Sequence, residues 1–238
     1  MPRLRMIAGP NGSGKSTLTD DLRKNYPLHF GFYINADEIE KILKQNAKFG
    51  FRRFRLSVKL FEFTLFFENH PLYNKCGVIN FEIKRNTFYL KTPLLNFSYF
   101  ATVFADFCRY ELIKAQHSFT FETVMSGHDK IEVLSYAKKK GYKVYLYFIC
   151  TDDVLINIDR VANRVVLGGH DVPVNKIEDR YKRSLKNLIE AISLSDRANL
   201  FDNSGRHHVL ISEVTNGETI AYYSDKIPNW IIKYFSKA

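Results

Sequence analysis

Nine residues near the start of the chain carry the most definite chemistry. Gly9-Pro10-Asn11-Gly12-Ser13-Gly14-Lys15-Ser16, followed by Thr17, fits the pattern G-x-x-x-x-G-K-[ST] without a mismatch. Glycines in such a loop let the backbone take φ values that turn successive N–H groups toward phosphate oxygens. A helix opening near Lys15 adds its positive end. The Lys15 ammonium can reach β and γ phosphates, and the Ser16 hydroxyl suits Mg²⁺, which keeps several waters and rarely has an all-protein cage. ATP and Mg²⁺ are therefore the expected ligands of residues 9–17.

Phosphoryl transfer also needs a group that orients or deprotonates the acceptor, and cations over the developing charge. Asp37, within Ile34-Asn35-Ala36-Asp37-Glu38-Ile39, stands just past a strand pattern, at the edge where open α/β sheets place ligands. It also suits the N-cap of a helix from Glu38 to Lys44. Glu122 and Thr123 end the strand pattern Phe119 to Val124, and Glu122 is a second candidate carboxylate, for substrate or for the water shell of Mg²⁺. Arg160 and Arg164 share a helix face at i, i+4, and Arg180 and Arg183 at i, i+3. Between the pairs, Leu167-Gly168-Gly169-His170-Asp171-Val172-Pro173 reads as a mobile basic lid that would close over ATP. The competing reading is two solvated basic helix faces.

The elements that must position these groups alternate. Leu4 to Ala8, Phe30 to Asn35, Phe119 to Val124 and Val144 to Cys150 read as strands, the last apolar throughout, as in a parallel sheet covered on both faces. His128 to Lys140, Asp152 to Val166 and Val174 to Ser195 carry helical spacing. The pattern predicts a doubly wound α/β domain with a mostly parallel sheet. Val209 to Val214 and Glu218 to Tyr223 flank Thr215-Asn216-Gly217 and predict a C-terminal β-hairpin. Residues 1–238 read as one domain, interrupted by a segment that breaks the rhythm: Phe49 to Phe107, 59 residues with 13 of the chain's 20 phenylalanines and eight Lys+Arg against four Asp+Glu. A crossover of that length indicates an insertion, either an aromatic-rich subdomain packed over the sheet edge or a substrate cover or partner-binding surface.

Composition narrows the class. With 45% hydrophobic and 25% charged residues the chain is neither disordered nor collagen-like. Its net charge of +10 favours an anionic partner without choosing among them. Cys76, Cys108 and Cys150 are widely spaced and form no C-x-x-C pair, which reads as reduced thiols in a cytoplasmic protein. The N-terminus leaves no room for a signal peptide before the glycine motif. The longest charge-free stretch, Thr92 to Ala105, has 14 residues, short of the roughly 20 a spanning helix requires.

Five blocks in order resemble the zeta toxin family of P-loop kinases, in its shorter stand-alone members: Ala8 to Thr17, Asn35 to Ile39, Phe119 to Ser126, Gly168 to Pro173 with Ile177 and Arg180, and Phe201 to Ser204. The resemblance covers Met1 to Leu43 and Tyr110 to Ser204. It implies a P-loop kinase fold and an ATP-dependent kinase whose acceptor is a hydroxyl of UDP-N-acetylglucosamine, with an antitoxin protein as partner. It places the family's base on Asp37, its loop lysine on Lys15 and its substrate-side glutamate on Glu122. One lid arginine maps to Arg160 or Arg164, while the other position is His170 here.

Three functions compete. The leading one is a small-molecule kinase with Lys15, Asp37 and lid cations as its machinery. The second is an RNA or DNA end kinase, suggested by Lys41 to Phe61, where seven Lys+Arg without an acid interleave with Phe49, Phe51 and Phe54. The third is a nucleotide-dependent switch without catalysis. Transporter-type ATPases share the loop string, but their Leu-Ser-Gly-Gly-Gln signature is not in this sequence.

Overall fold

The computed structural model describes residues 1–26, 28–93, 96–169 and 171–235. In chain order the elements are β1 (Arg3–Ala8), α1 (Lys15–Asn25), β2 (Phe32–Ile34), α2 (Ala36–Asn46) and β3 (Lys48–Gly50). A 3₁₀ turn (Phe51–Phe54) leads to α3 (Leu60–Glu68), α4 (Tyr73–Cys76), β4 (Phe81–Lys84), β5 (Thr87–Leu90) and α5 (Phe97–Lys114). Then come β6 (Phe119–Thr123), α6 (Asp129–Lys139), β7 (Lys143–Cys150), α7 (Val154–Val166), α8 (Val174–Lys186) and α9 (Leu188–Ser193). The chain closes with β8 (Arg197–Asp202), β9 (Val209–Thr215), β10 (Thr219–Tyr222) and α10 (Asn229–Phe235).

Among the described residues the main sheet has seven strands in the order β10-β9-β8-β7-β1-β6-β2. β7 runs parallel to both neighbours, with Ala8 opposite Phe148 and Phe148 opposite Leu200. Val144, Leu146, Phe148, Ile149 and Cys150 are buried, as the unbroken apolar run requires of a central strand. The expected hairpin is present: β9 and β10 pair antiparallel, and Asn216 and Gly217 take φ 53° and 74°. The chain thus has the mixed α/β, mostly parallel architecture that the strand and helix pattern predicts. It divides into two compact units, Met1–Gly31 with Thr120–Ala238, and Phe32–Phe119.

In the first unit one element departs from expectation. The helical pattern Val174 to Ser195 is two helices, broken at Asn187. The apolar spacing continues through the break, so periodicity does not reveal it. Asn187 donates its side-chain N–H to Met125 O at 3.0 Å, and Ser184 Oγ donates to Val124 O at 2.7 Å, so the α8–α9 junction holds the loop leaving β6. The Asp196 carboxylate tethers another junction, accepting from Val144 N and from Lys143 Nζ at 2.8 and 2.9 Å. Burial opposes its charge, but the Val144 and Lys143 bonds and the nearby Lys138 ammonium outweigh that and hold the carboxyl below its ordinary value. A depressed folded pKa contributes stability above the unfolded value and loses it as pH falls through the folded one. The denaturation midpoint of Asp196→Asn should therefore lie below wild type at neutral pH, with the gap closing below pH about 4.

The second unit explains the phenylalanines. Phe49, Phe51, Phe63, Phe88, Phe100, Phe104 and Phe107 are buried. Phe51 stacks on Phe104 at 5.4 Å between ring centroids, and Phe63 meets Phe107 edge-on at 5.0 Å. The rings form a core between α3, α5 and the small sheet β3-β5-β4. Phe49, Phe51 and Phe54, which the end-kinase reading needs as stacking platforms, are 2%, 0% and 6% exposed. Buried rings cannot stack on bases, and that support for a nucleic-acid substrate falls away. α5 also encloses an ion pair of Asp106 with Arg109, with His70 Nε2 3.5 Å from Asp106.

Cys76, Cys108 and Cys150 are buried and free. Burial pushes the Cys76 thiol up to about 11 and raises the other two further, so none is poised as a nucleophile. Among the described residues no helix is long and apolar enough to cross a membrane.

Candidate active site: a phosphate loop at the carboxyl edge of the sheet

The glycine loop leaves β1 and enters α1 at Lys15, in the strand–loop–helix setting its pattern requires. Gly12 and Gly14 hold φ 75° and 99°, in the region that disfavours any side chain. Close approach is the second reason for glycine. A Cβ on Gly12 would lie 2.5 Å from Asn157 O, one on Gly9 2.0 Å from Ile149 O, and one on Gly14 2.3 Å from Asn203 Nδ2. Lys15 Nζ donates to Gly9 O and Pro10 O, both at 2.8 Å, and so lies across the loop. Ser13 is fully buried and its Oγ has no partner among the described residues.

Two helix hydroxyls clamp one carboxylate. Ser16 Oγ donates to Glu122 Oε2 at 3.3 Å, and Thr19 Oγ1 bonds Glu122 Oε1 while also reaching Lys15 O at 2.9 Å. Ser16, the expected cation ligand, is thus joined to Glu122, the expected second carboxylate. Thr123 Oγ1 accepts from Met125 N at 3.0 Å and its carbonyl accepts from Gly9 N at 3.3 Å, so the hydroxyl fixes the β6 exit and the carbonyl holds the start of the loop.

Further side chains hold the loop from outside. Asn157 is fully buried on α7 and donates its amide N–H to Asn11 O, with its Oδ1 accepting from Thr151 Oγ1. Asn203, just past β8, donates Nδ2 to Ser13 O at 2.8 Å. Neither Asn157 nor Thr19 stands out in the sequence. The one available signal is an asparagine on the otherwise apolar α7 stripe formed by Val154, Ile158 and Val161. A buried amide there requires a partner, and the partner is the phosphate loop.

The four arginines separate. Arg180 Nη1 reaches Asn11 Oδ1 at 3.4 Å, beside the loop. Arg160 donates Nη2 to Gly205 O at 3.1 Å, and its buried Nη1 has no partner among the described residues. Arg164 is exposed and lies under the turn after α7, with its Cγ 2.5 Å from where a Gly169 Cβ would stand. Arg183 pairs with Asp179 at 2.6 Å on an exposed face, the solvated alternative. In the expected lid, Gly168 takes φ 82° and Gly169 N bonds Arg164 O at 2.9 Å, closing α7. Val172 is buried against Val161 and Ile177, and His170 lies outside the described residues.

Asp37 belongs to the second unit. It is exposed in the first turn of α2, but it is not the N-cap. Asn35 is, accepting from Asp37 N at 2.8 Å. The capping role that competed for the Asp37 carboxylate is filled by its neighbour.

No protein-family profile matches the chain. It is 35% identical over 69 residues to an uncharacterized protein of Haemophilus influenzae, a match covering 29% of this chain and 49% of that protein. Among solved structures, a chain of the AvrRxo1-ORF1:AvrRxo1-ORF2 complex crystallised with sulphate ions aligns with a TM-score of 0.55 at 18% identity, over 98% of this chain and 63% of that one. The same complex with ATP gives 0.53 at 15% identity, over 94% and 61%. A chain of the PezAT chromosomal toxin–antitoxin system of Streptococcus pneumoniae gives 0.51 at 14% identity, over 88% and 70%. The chain spans about half the length of its curated relative and about three fifths of the AvrRxo1 chain. The chain therefore shares the mixed α/β, mostly parallel fold of these structures.

Proposed function

We propose that the protein is an ATP-dependent kinase that transfers the γ-phosphoryl group of Mg-ATP to a hydroxyl of a small molecule. The observation that carries the reading is the Ser16–Glu122–Thr19 clamp set directly behind an intact phosphate loop. A glycine cradle that any Cβ would fill fits a phosphate chain, and a hydroxyl joined to a carboxylate fits a cation that keeps most of its waters. Bound there, Mg²⁺ would neutralise charge on the β and γ oxygens, with Ser16 as its ligand and Glu122 bonding its waters.

The chain's own residues do the rest. Loop N–H groups past Pro10 and the Lys15 ammonium hold the phosphates, the Gly9 N–H being engaged by Thr123 O. Arg160, with a free buried donor, and Arg180, beside Asn11, are the cations for the transferred group, while Arg164 stays a further candidate. Asp37 orients the acceptor hydroxyl and takes its proton as the new O–P bond forms and the bond to the β-phosphate oxygen breaks, releasing ADP. Glu122, Thr123 and His170 are the acceptor-side residues of this proposal on the strength of the sequence and of the zeta-toxin resemblance. The resemblance to zeta toxins makes a nucleotide-activated amino sugar such as UDP-N-acetylglucosamine the first acceptor to try. That AvrRxo1-ORF1 was crystallised with ORF2, and that PezAT is a toxin–antitoxin system, supports an antitoxin-type protein partner.

Asp37→Asn separates binding from chemistry. It should leave Mg-ATP affinity within about twofold and lower phosphoryl transfer at least about 10²-fold, measured by calorimetry and by ATP turnover. Unchanged turnover would remove Asp37 as the base. Glu122→Gln should raise the Mg²⁺ concentration for half-maximal ATP binding by about tenfold, the size typical of a partner that bonds metal-bound waters. A Mg²⁺ titration of each protein at fixed ATP reads it directly.

A further inference from the structure

Two segments support the phosphate loop, and both rest on a third element far away in sequence. Asn157, in the segment leaving β7, holds Asn11 O, and Asn203, in the segment leaving β8, holds Ser13 O. An aspartate stands at each strand end, Asp152 two residues past β7 and Asp202 as the last residue of β8. Ser204 Oγ joins them, accepting from Asp152 N at 2.8 Å and donating to Asp202 Oδ1 at 3.0 Å. Trp230 of α10 closes the bridge: its indole Nε1 donates to Asp202 Oδ1 at 3.0 Å and its backbone N–H to Asp152 Oδ1 at 3.1 Å. Asn229 Nδ2 adds a bond to Asp152 Oδ2 at 2.8 Å. Trp230 is 2% exposed and packs on Phe148 of β7 at 5.7 Å between centroids.

We propose that Trp230 is a positioning residue for the phosphate site: α10 is a brace that sets the spacing of the β7 and β8 exit loops, and through Asn157 and Asn203 the shape of the phosphate loop. Asp202 is the critical relay. Its carboxylate accepts from Trp230 Nε1, Ser204 N and Ser204 Oγ, and its chain neighbour Asn203 bonds both Cys150 O and Ser13 O. A carboxylate that loses one of three donors in this half-buried network reorients, and Asn203 moves with it. The coupling is reciprocal, so nucleotide in the loop must tighten α10 by the same factor by which α10 tightens nucleotide.

This inference rests on the reading of residues 9–17 as a nucleotide site, and the experiment separates the two. Mg-ATP affinity of the full chain is measured by calorimetry for wild type, Trp230→Phe and Val133→Ala. Trp230→Phe keeps the ring on Phe148 and the backbone bond to Asp152 but loses the bond to Asp202. Val133→Ala makes a cavity in α6, away from the network, and serves as the control for general destabilisation. Trp230→Phe should weaken Mg-ATP binding by about fivefold or more at a temperature where both variants are fully folded, with Val133→Ala unchanged. In wild type, Mg-ATP should slow amide exchange in residues 229–235. Equal weakening in both variants, or none in Trp230→Phe, overturns the brace. A wild-type chain that binds no Mg-ATP overturns the nucleotide site itself.

Discussion

Lys15→Ala is expected to lower phosphoryl transfer by at least about 10³-fold while leaving the fold and its thermal midpoint nearly unchanged. The Lys15 ammonium is the one fixed cation built into the phosphate loop, and it donates to two of that loop's carbonyls, at Gly9 and Pro10. Those bonds cross an open loop rather than a packed core, so their loss costs little stability. What disappears is a charge aimed where negative charge develops in transfer, which acts more strongly in the transition state than in the ground state. Lys15→Arg should rescue little, because a planar guanidinium cannot fill the same point position. Turnover measured beside thermal denaturation tests both halves: a large stability loss would assign Lys15 a structural role.

Gly12→Ala should abolish nucleotide binding and destabilise the protein at once, by about 2–4 kcal/mol. Two costs combine at this position. The left-handed φ of 75° strains any L side chain, and the new Cβ would meet Asn157 O at 2.5 Å and Asn157 Cα at 3.0 Å. Those are backbone atoms of α7, which cannot swing aside as a side chain could. Relief requires the loop to withdraw from α7, breaking the Asn157 bond to Asn11 O and taking from a fully buried amide N–H the carbonyl it donates to. Gly141, also at positive φ but with open space around its Cβ direction, isolates the strain term. Gly141→Ala should lower stability by only about 1 kcal/mol and leave nucleotide affinity alone.

The sequence revealed what is encoded locally. A phosphate loop is one continuous run between a strand and a helix, so Gly9 to Thr17 could be read residue by residue. β7 announced itself as an unbroken apolar run, and Asn216-Gly217 as the turn of a hairpin. The Phe-rich stretch was visible as an anomaly but ambiguous, because composition does not tell a ring in a core from a ring on a surface. Contacts made across long separations were hidden. Asn187 interrupts a helix whose apolar period runs on undisturbed, for the sake of a bond to Met125 O some 60 positions earlier. Thr19, Asn157 and Trp230 look like ordinary helix residues until Glu122, Asn11 and Asp202 are brought beside them. The arginines illustrate the same limit: four cations at helical spacing were equivalent on paper, yet Arg183 pairs with Asp179 while Arg180 reaches the loop.

The central claim is that this phosphate loop serves phosphoryl transfer to a small hydroxyl acceptor. Its most direct test incubates wild type and Lys15→Ala with γ-labelled ATP, Mg²⁺ and a cell metabolite extract, and follows the label into small molecules. A labelled metabolite is expected with wild type, formed in step with ADP and missing with Lys15→Ala. Tight Mg-ATP binding by wild type with no label leaving ATP would contradict it, and would make the site a switch instead of a kinase.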